Sequence, residues 1–167
     1  VGNDLNGAKL TRIRTLARYI DNVNFPVTTT TTTTTETIAD PADAETVTYT
    51  VTVVNVGGVN IFALNGSNNP VITMKRGSTY IFDQSHSSNS GHPLRIKQNS
   101  GASYSTGVTV AGTQGSAGSS VTFQPPYPDA PSDLRYYCTV HGNAMGNTIT
   151  MNNPNTITQE TTTTTTQ

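Results

Sequence analysis

The 167-residue chain has no tryptophan and only one cysteine, Cys138. A lone cysteine cannot form an internal disulfide, so the redox compartment cannot be read from cysteine pairing. Charge is scarce too: Asp, Glu, Lys and Arg make up 11% of the residues, and the formal net charge is −1. That balance supplies neither a basic surface for nucleic acid nor a cationic face for a membrane. No apolar run approaches the roughly 20 residues needed to span a bilayer. A Gly-rich phosphate loop, a carboxylate–histidine zinc motif and a nucleophile elbow are all missing, which argues against an enzyme. There is no signal-peptide core, and the opening at Val1 reads as a processed product or a fragment.

Threonine, serine, glycine and asparagine dominate, and apolar residues make up only 33%. This profile predicts an all-β protein with many turns, in which β-branched Thr fills the exposed faces of strands. The length allows one hydrophobic core plus arms.

Four segments follow from the chain pattern. Residues 1–27 read as an N-terminal docking arm. Within it Leu10, Ile13, Leu16, Ala17 and Ile20 fall at helical spacing, with Lys9, Arg12, Arg14 and Arg18 largely elsewhere on the wheel. A helix of about three turns is marginal alone in water, so this amphipathic helix needs a surface to bury against. The basic residues read as a solvated helix face. Residues 28–45 form a Thr-rich and acidic linker, with Thr28 to Thr35 unbroken and Glu36, Asp40, Asp43 and Glu45 after it. Residues 152–167 form a second Thr-rich arm, ending in Thr161 to Thr166 and Gln167. Poly-Thr has high β propensity, so both tracts are expected to be held by strand pairing with another part of an assembly.

Residues 46–151 read as one β-domain. Thr46 to Val53 alternates cleanly, which should turn Val47, Tyr49, Val51 and Val53 inward. Further strands are predicted at Asn60 to Leu64, ended by the Asn65-Gly66 turn, and at Val71 to Met74, Thr79 to Asp83, Pro93 to Lys97, Val121 to Phe123, Leu134 to Thr139 and Asn147 to Met151. Residues 101–119 read as a Gly/Ser-rich loop. Tyr136 and Tyr137 alternate along one strand, so one should enter the core and the other face outward or form an interface.

Most of the chemistry sits in two places. The first is Gly91-His92-Pro93-Leu94; the second is Tyr136-Tyr137-Cys138-Thr139-Val140-His141 with Met145, and Cys138 follows His92 by 46 residues. One thiolate, two imidazoles and a weak thioether are the donor set of a blue-copper centre, in which Cys and two His lie in a trigonal arrangement with a distant axial Met. Cys138 should close a strand, with His141 and Met145 on the short loop after it and His92 on a neighbouring strand. Cys138 alone would read as a small buried hydrophobe. His86, in the polar stretch Gln84-Ser85-His86-Ser87-Ser88-Asn89, reads as loop decoration. Cys138 and His141 could imitate a thiol dyad, but beside a candidate axial Met they fit a metal better.

These stretches resemble the cupredoxins. The marks are Lys75 to Asp83 feeding a strand before Gly91-His92-Pro93-Leu94, then Tyr136 to His141 and Met145-Gly146 before a final strand. The resemblance spans about residues 46–151. More narrowly, the chain resembles cupredoxin-like modules in virion structural proteins of marine bacteriophages, in which near-identical RYYCTVHG and GHPL stretches occur. The resemblance implies a Greek-key cupredoxin-like β-sandwich holding copper through His92, Cys138, His141 and Met145.

Two departures stand out. Three residues, Gly142-Asn143-Ala144, separate His141 from Met145, a loop length between those of plastocyanin-like and amicyanin-like members. Many members carry after the first His an Asn that ties the two ligand loops together, and here Pro93 stands in its place. The expected function is a structural module of a viral particle, a capsid decoration or tail-associated protein. It would sit on the virion surface or outside cells, with other copies of itself and other structural proteins of an assembly as partners. The alternative is a blue-copper electron-transfer protein.

Overall fold

The computed structural model describes residues 27–167. The expected helix at 8–20 lies outside the described residues. Twelve strands account for most of the rest: β1 (Thr29–Ala39), β2 (Thr46–Val56), β3 (Val59–Leu64), β4 (Ser67–Asn68), β5 (Ile72–Lys75), β6 (Thr79–Asp83), β7 (Leu94–Gln98), β8 (Val108–Ala111), β9 (Ser120–Phe123), β10 (Leu134–Cys138), β11 (Thr148–Asn152) and β12 (Thr156–Thr166). Only short 3₁₀ turns interrupt them, at Pro41–Asp43, Ser87–Asn89 and Asn143–Met145. Among the described residues no helix is long and apolar enough to cross a membrane.

The described residues divide into two compact units, one of Thr37–Gln159 and one of residues 27–36 with Glu160–Gln167. The larger unit is a β-sandwich. One sheet runs β4-β3-β2-β6-β9-β8 and the other β5-β11-β10-β7. Most neighbours are antiparallel, but β2 lies parallel to β6 and β11 parallel to β5.

Alternation along the strands builds the core. In β6, Tyr80 and Phe82 point in; in β9, Val121 and Phe123; in β7, Leu94 and Ile96; in β10, Leu134, Tyr136 and Cys138. A period of two sends successive side chains to opposite faces, so Cys138 is buried because it shares the face of Leu134 and Tyr136. Both sheets contribute to one cluster, and Phe82 meets Tyr136 across the interior with ring centroids 6.3 Å apart. Full burial of a side chain of this size contributes about 1.5–3 kcal/mol. Val47, Tyr49, Val51 and Val53 face inward as the alternation predicts, Val51 fully and the others at the margin of the core. Tyr136 is the inward tyrosine, while Tyr137 is half-buried beneath the Lys97 ammonium, 4.5 Å from its ring centroid.

The Asn65-Gly66 turn forms as predicted. Both residues have positive φ, 48° and 81°, which joins Leu64 to its partner Ser67 in a two-residue hairpin turn. Three strands differ from expectation, among them β4, which the sequence pattern does not predict. β8 lies inside the stretch expected as a Gly/Ser-rich loop, and β2 runs on to Val56.

Thr29–Ala39, inside the expected 28–45 linker, is a strand, and its partner is the C-terminal Thr tract β12. Thr28 and Gln167 exchange both backbone hydrogen bonds at 3.1 Å, the signature of an antiparallel pair. Nearer the sandwich, the Asp40 N–H donates to the Asn155 carbonyl at 2.8 Å. Two acidic residues of this region find partners within the chain. Asp40 caps the Pro41–Asp43 turn, and Asp43 forms a 2.8 Å ion pair with Lys75.

Candidate metal centre

Cys138 is the last residue of β10 and pairs across the ladder with Leu94, the first residue of β7. That pairing puts the turn carrying His92 beside the cysteine. After Cys138 the chain folds straight back: the Gly142 N–H donates to the Cys138 carbonyl at 2.8 Å, closing a tight loop. Gly142 lies at φ 77°, a conformation that glycine adopts without cost, and the reversal returns His141 to the cysteine.

The result is a cluster. One ligand atom each from His92, Cys138 and His141 lies within 4.8 Å of the others, and Cys138 Sγ is 3.5 Å from His141 Nδ1. Metal–ligand bonds of about 2 Å place the donors of one ion within about 4 Å of each other, so the Cys138–His141 pair already has that spacing. The 4.8 Å bound on the whole set is somewhat wider. The imidazoles of His92 and His141 lie against each other, ring centroids 4.5 Å apart and tilted by 31°. Cys138 is fully buried, His92 half-buried and His141 exposed, so the cluster reaches from the core to the surface.

The donor chemistry suits a metal. His92 Nδ1 is buried and has no hydrogen-bond partner. Burial, and secondarily the neighbouring His141, hold the His92 pKa below its ordinary value, which favours the neutral imidazole that ligates. His92, Cys138 and His141 together are therefore a set that can hold a metal ion. Met145 is 1% exposed on the 3₁₀ turn after His141, belongs to the same buried cluster as Cys138, and lines with His141 an open cavity of about 360 Å³ beside Val59 and Asn60. His86 is exposed and stays outside the cluster; its Nδ1 accepts the Ser88 N–H.

The two ligand loops are tied by main chain. Pro93 has no N–H to offer, but its carbonyl accepts the Thr139 N–H at 3.0 Å. Three further residues shape the site and give little sign of it in the sequence. Arg135 donates from Nη2 to the Asn143 and Gly146 carbonyls, at 3.3 and 3.2 Å, and so braces the loop that carries Met145. Asn89 is completely buried, donates to the Val51 carbonyl at 2.7 Å, and accepts the His92 N–H on its own carbonyl at 2.8 Å. Gln84 bonds through its side chain to the backbone on both sides of Pro93. Each is a single polar residue in a stretch that reads as turn or exposed strand face.

Comparison with family models, with curated proteins and with solved structures finds no match to this chain.

Proposed function

We propose that this chain is a structural module of a viral particle, a capsid decoration or tail-associated protein, built on a Greek-key cupredoxin-like domain with a type 1 copper site. The observation that carries the copper part is the convergence of His92, Cys138 and His141, which come from two separate chain segments, within 4.8 Å. Thiolate plus two imidazoles with a nearby thioether is the ligand set that copper takes in such sites. The sandwich with β2 parallel to β6 and β11 parallel to β5 supports the cupredoxin reading.

When bound, copper supplies a one-electron couple. The protein's part would be to present Cys138 from the buried end of β10, to favour the neutral form of His92, to leave His141 open to solvent, and to offer Met145 on the turn after His141 as a fourth donor. If Met145 completed the set, no coordination position would be left for a substrate, and this reading therefore includes no catalysis.

Adding Cu(II) to the purified chain tests the site. An intense visible thiolate charge-transfer band should appear, and Cys138→Ser should abolish it while the far-ultraviolet spectrum stays unchanged. Absence of the band at saturating Cu(II) would leave a fold without its metal role.

The structural role is supported by the Thr-rich arms, which present an exposed surface from β1 and β12 with no apolar face to fold upon. A shuttling electron carrier has no use for such arms. The partners in this reading are other copies of the chain and other structural proteins of the assembly, with no nucleic acid and no membrane, and the place is the virion surface or the extracellular medium. A second reading, a blue-copper electron-transfer protein, draws support from the pairing of β1 with β12. That pairing satisfies one edge of each Thr tract inside a single chain and weakens the need for an outside strand.

A further inference from the structure

We propose that Gln84 is the positioning residue for His92: its buried side-chain amide grips the backbone on both sides of Pro93 and holds the imidazole in its ligating place before any metal arrives. The inference rests on the metal-site reading above.

Gln84 follows the end of β6 and is 2% exposed. Its Nε2 donates to the His92 carbonyl at 3.0 Å, and its Oε1 accepts the Leu94 N–H at 3.2 Å. The orientation of the amide is forced, because a carbonyl needs a donor and an N–H needs an acceptor; turning the amide over would lose both bonds. The backbone of Gln84 is equally fixed. Its N–H donates to the Ser119 carbonyl at 2.9 Å, and its carbonyl accepts the Gly115 N–H at 2.8 Å. A residue held at both of its own backbone groups has little freedom left, so its side chain acts as a rigid arm from the six-stranded sheet.

The need for such an arm follows from Pro93, which contributes no N–H to the local network. The remaining groups around His92 are pinned elsewhere: the His92 N–H by the Asn89 carbonyl at 2.8 Å and the Pro93 carbonyl by the Thr139 N–H at 3.0 Å. With Gln84 supplying the other two bonds, every backbone polar group from the His92 N–H to the Leu94 N–H is fixed. His92 Nδ1, by contrast, is left without a partner. A frame that satisfies the backbone and leaves one ring nitrogen free is a preorganised ligand. Gln84 itself touches no metal position and does not belong to the ligand set.

The test uses Gln84→Leu, which replaces the amide by a shorter apolar side chain and loses both bonds, and Gln84→Glu, which keeps an acceptor for Leu94 but turns a carboxylate oxygen against the His92 carbonyl. Loss of an outer partner of a metal ligand costs about 10–100-fold in metal affinity. Cu(II) affinity of the full chain, measured by competition with a chelator, should fall by about that factor in both variants. In the metal-free chain, nuclear Overhauser contacts between the His92 and His141 rings should weaken in both variants. Unchanged affinity and unchanged ring contacts in both variants would overturn the proposal. If the unsubstituted chain binds no Cu(II), the metal reading fails on its own, and the ring contacts still decide for or against Gln84 as the positioning residue. If Gln84→Leu does not fold, Gln84→Glu carries both measurements.

Discussion

The carbonyl oxygen of Pro93 accepts the backbone N–H of Thr139 at 3.0 Å, so the residue after one candidate ligand is bonded to the residue after another. The bond uses only main-chain atoms, which makes it indifferent to the side chain at position 93. Convergence of His92 with Cys138 therefore survives where a side-chain tie between the loops would be lost.

This indifference can be measured. Pro93→Ala keeps the carbonyl, gives up the fixed φ of proline and adds one N–H; the loss of the fixed φ is a change of about 0.4–1 kcal/mol that acts mainly through the unfolded chain. Urea denaturation should show a loss of that order, and Cu(II) should bind as in the unsubstituted chain. Loss of copper binding in Pro93→Ala would mean that proline itself shapes the site.

Gly146 follows Met145 and is the tightest point of the ligand loop. A Cβ there would overlap the carbonyl oxygen of Tyr136, and backbone cannot yield as the end of a flexible side chain can. Gly146→Ala must push the loop away from β10 and stretch the Arg135 bond to the Gly146 carbonyl. Overpacking of this kind costs about 1–3 kcal/mol. The expected result is a lower urea midpoint together with an altered copper band, since Met145 moves with the loop. A Gly146→Ala chain of unchanged stability would show that the loop has more room than its contacts imply.

Tyr136 should govern part of the alkaline limb of stability. Its hydroxyl is buried and donates to the Pro70 carbonyl at 2.7 Å, and burial, more than any neighbouring charge, pushes the phenol well above its ordinary value of 10.0. The unfolded chain loses this proton near pH 10 and the folded chain keeps it. The folded state thus binds more protons, and stability, full below that pH, declines as pH rises, by at most about 1.4 kcal/mol per pH unit for one group. Tyr136→Phe should cost about 0.5–1.5 kcal/mol at neutral pH through the lost hydrogen bond and flatten the decline above pH 10. Tyr49, Tyr80 and Tyr104 are also raised by burial, so a residual decline should remain. Urea titrations at pH 7, 10 and 11 that gave parallel losses for both chains would refute the assignment.

The candidate ligands were legible in the sequence because their residue types are rare in it. With one cysteine and three histidines, the pairing of Cys138 with His92 and His141 had few competitors. The strand at Thr46 was legible for a different reason, since inward Val and Tyr alternate with outward Thr. β8 was not, because a short edge strand with three exposed residues in a Gly/Ser-rich stretch carries too little apolar pattern to stand out. Gln84 was hidden because an isolated polar residue beside Ser85 and His86 looks like surface, and only the path of the chain around Pro93 makes it core. The Thr tracts revealed their strand character through propensity but not their partner. Identical residues carry no register, and the partner became visible only when β1 met β12.

That meeting sharpens the test of the assembly reading. Removing residues 1–36 and 160–167 together leaves Thr37–Gln159, which holds the whole sandwich and all four candidate ligands. The truncated chain should fold, because the core cluster lies entirely within it, and should bind Cu(II) like the parent. If the arms dock the module into a larger assembly, sedimentation should show the full chain in complexes and the truncated chain as a monomer. Removing only residues 160–167 should strip β1 of its partner and free an edge of bare backbone donors and acceptors, so that this chain aggregates more readily than either. A full chain that sediments as a monomer at every concentration, and gains nothing over the truncated chain with particle proteins present, would leave the arms without an assembly role. The electron carrier would then be the better reading of the same copper site.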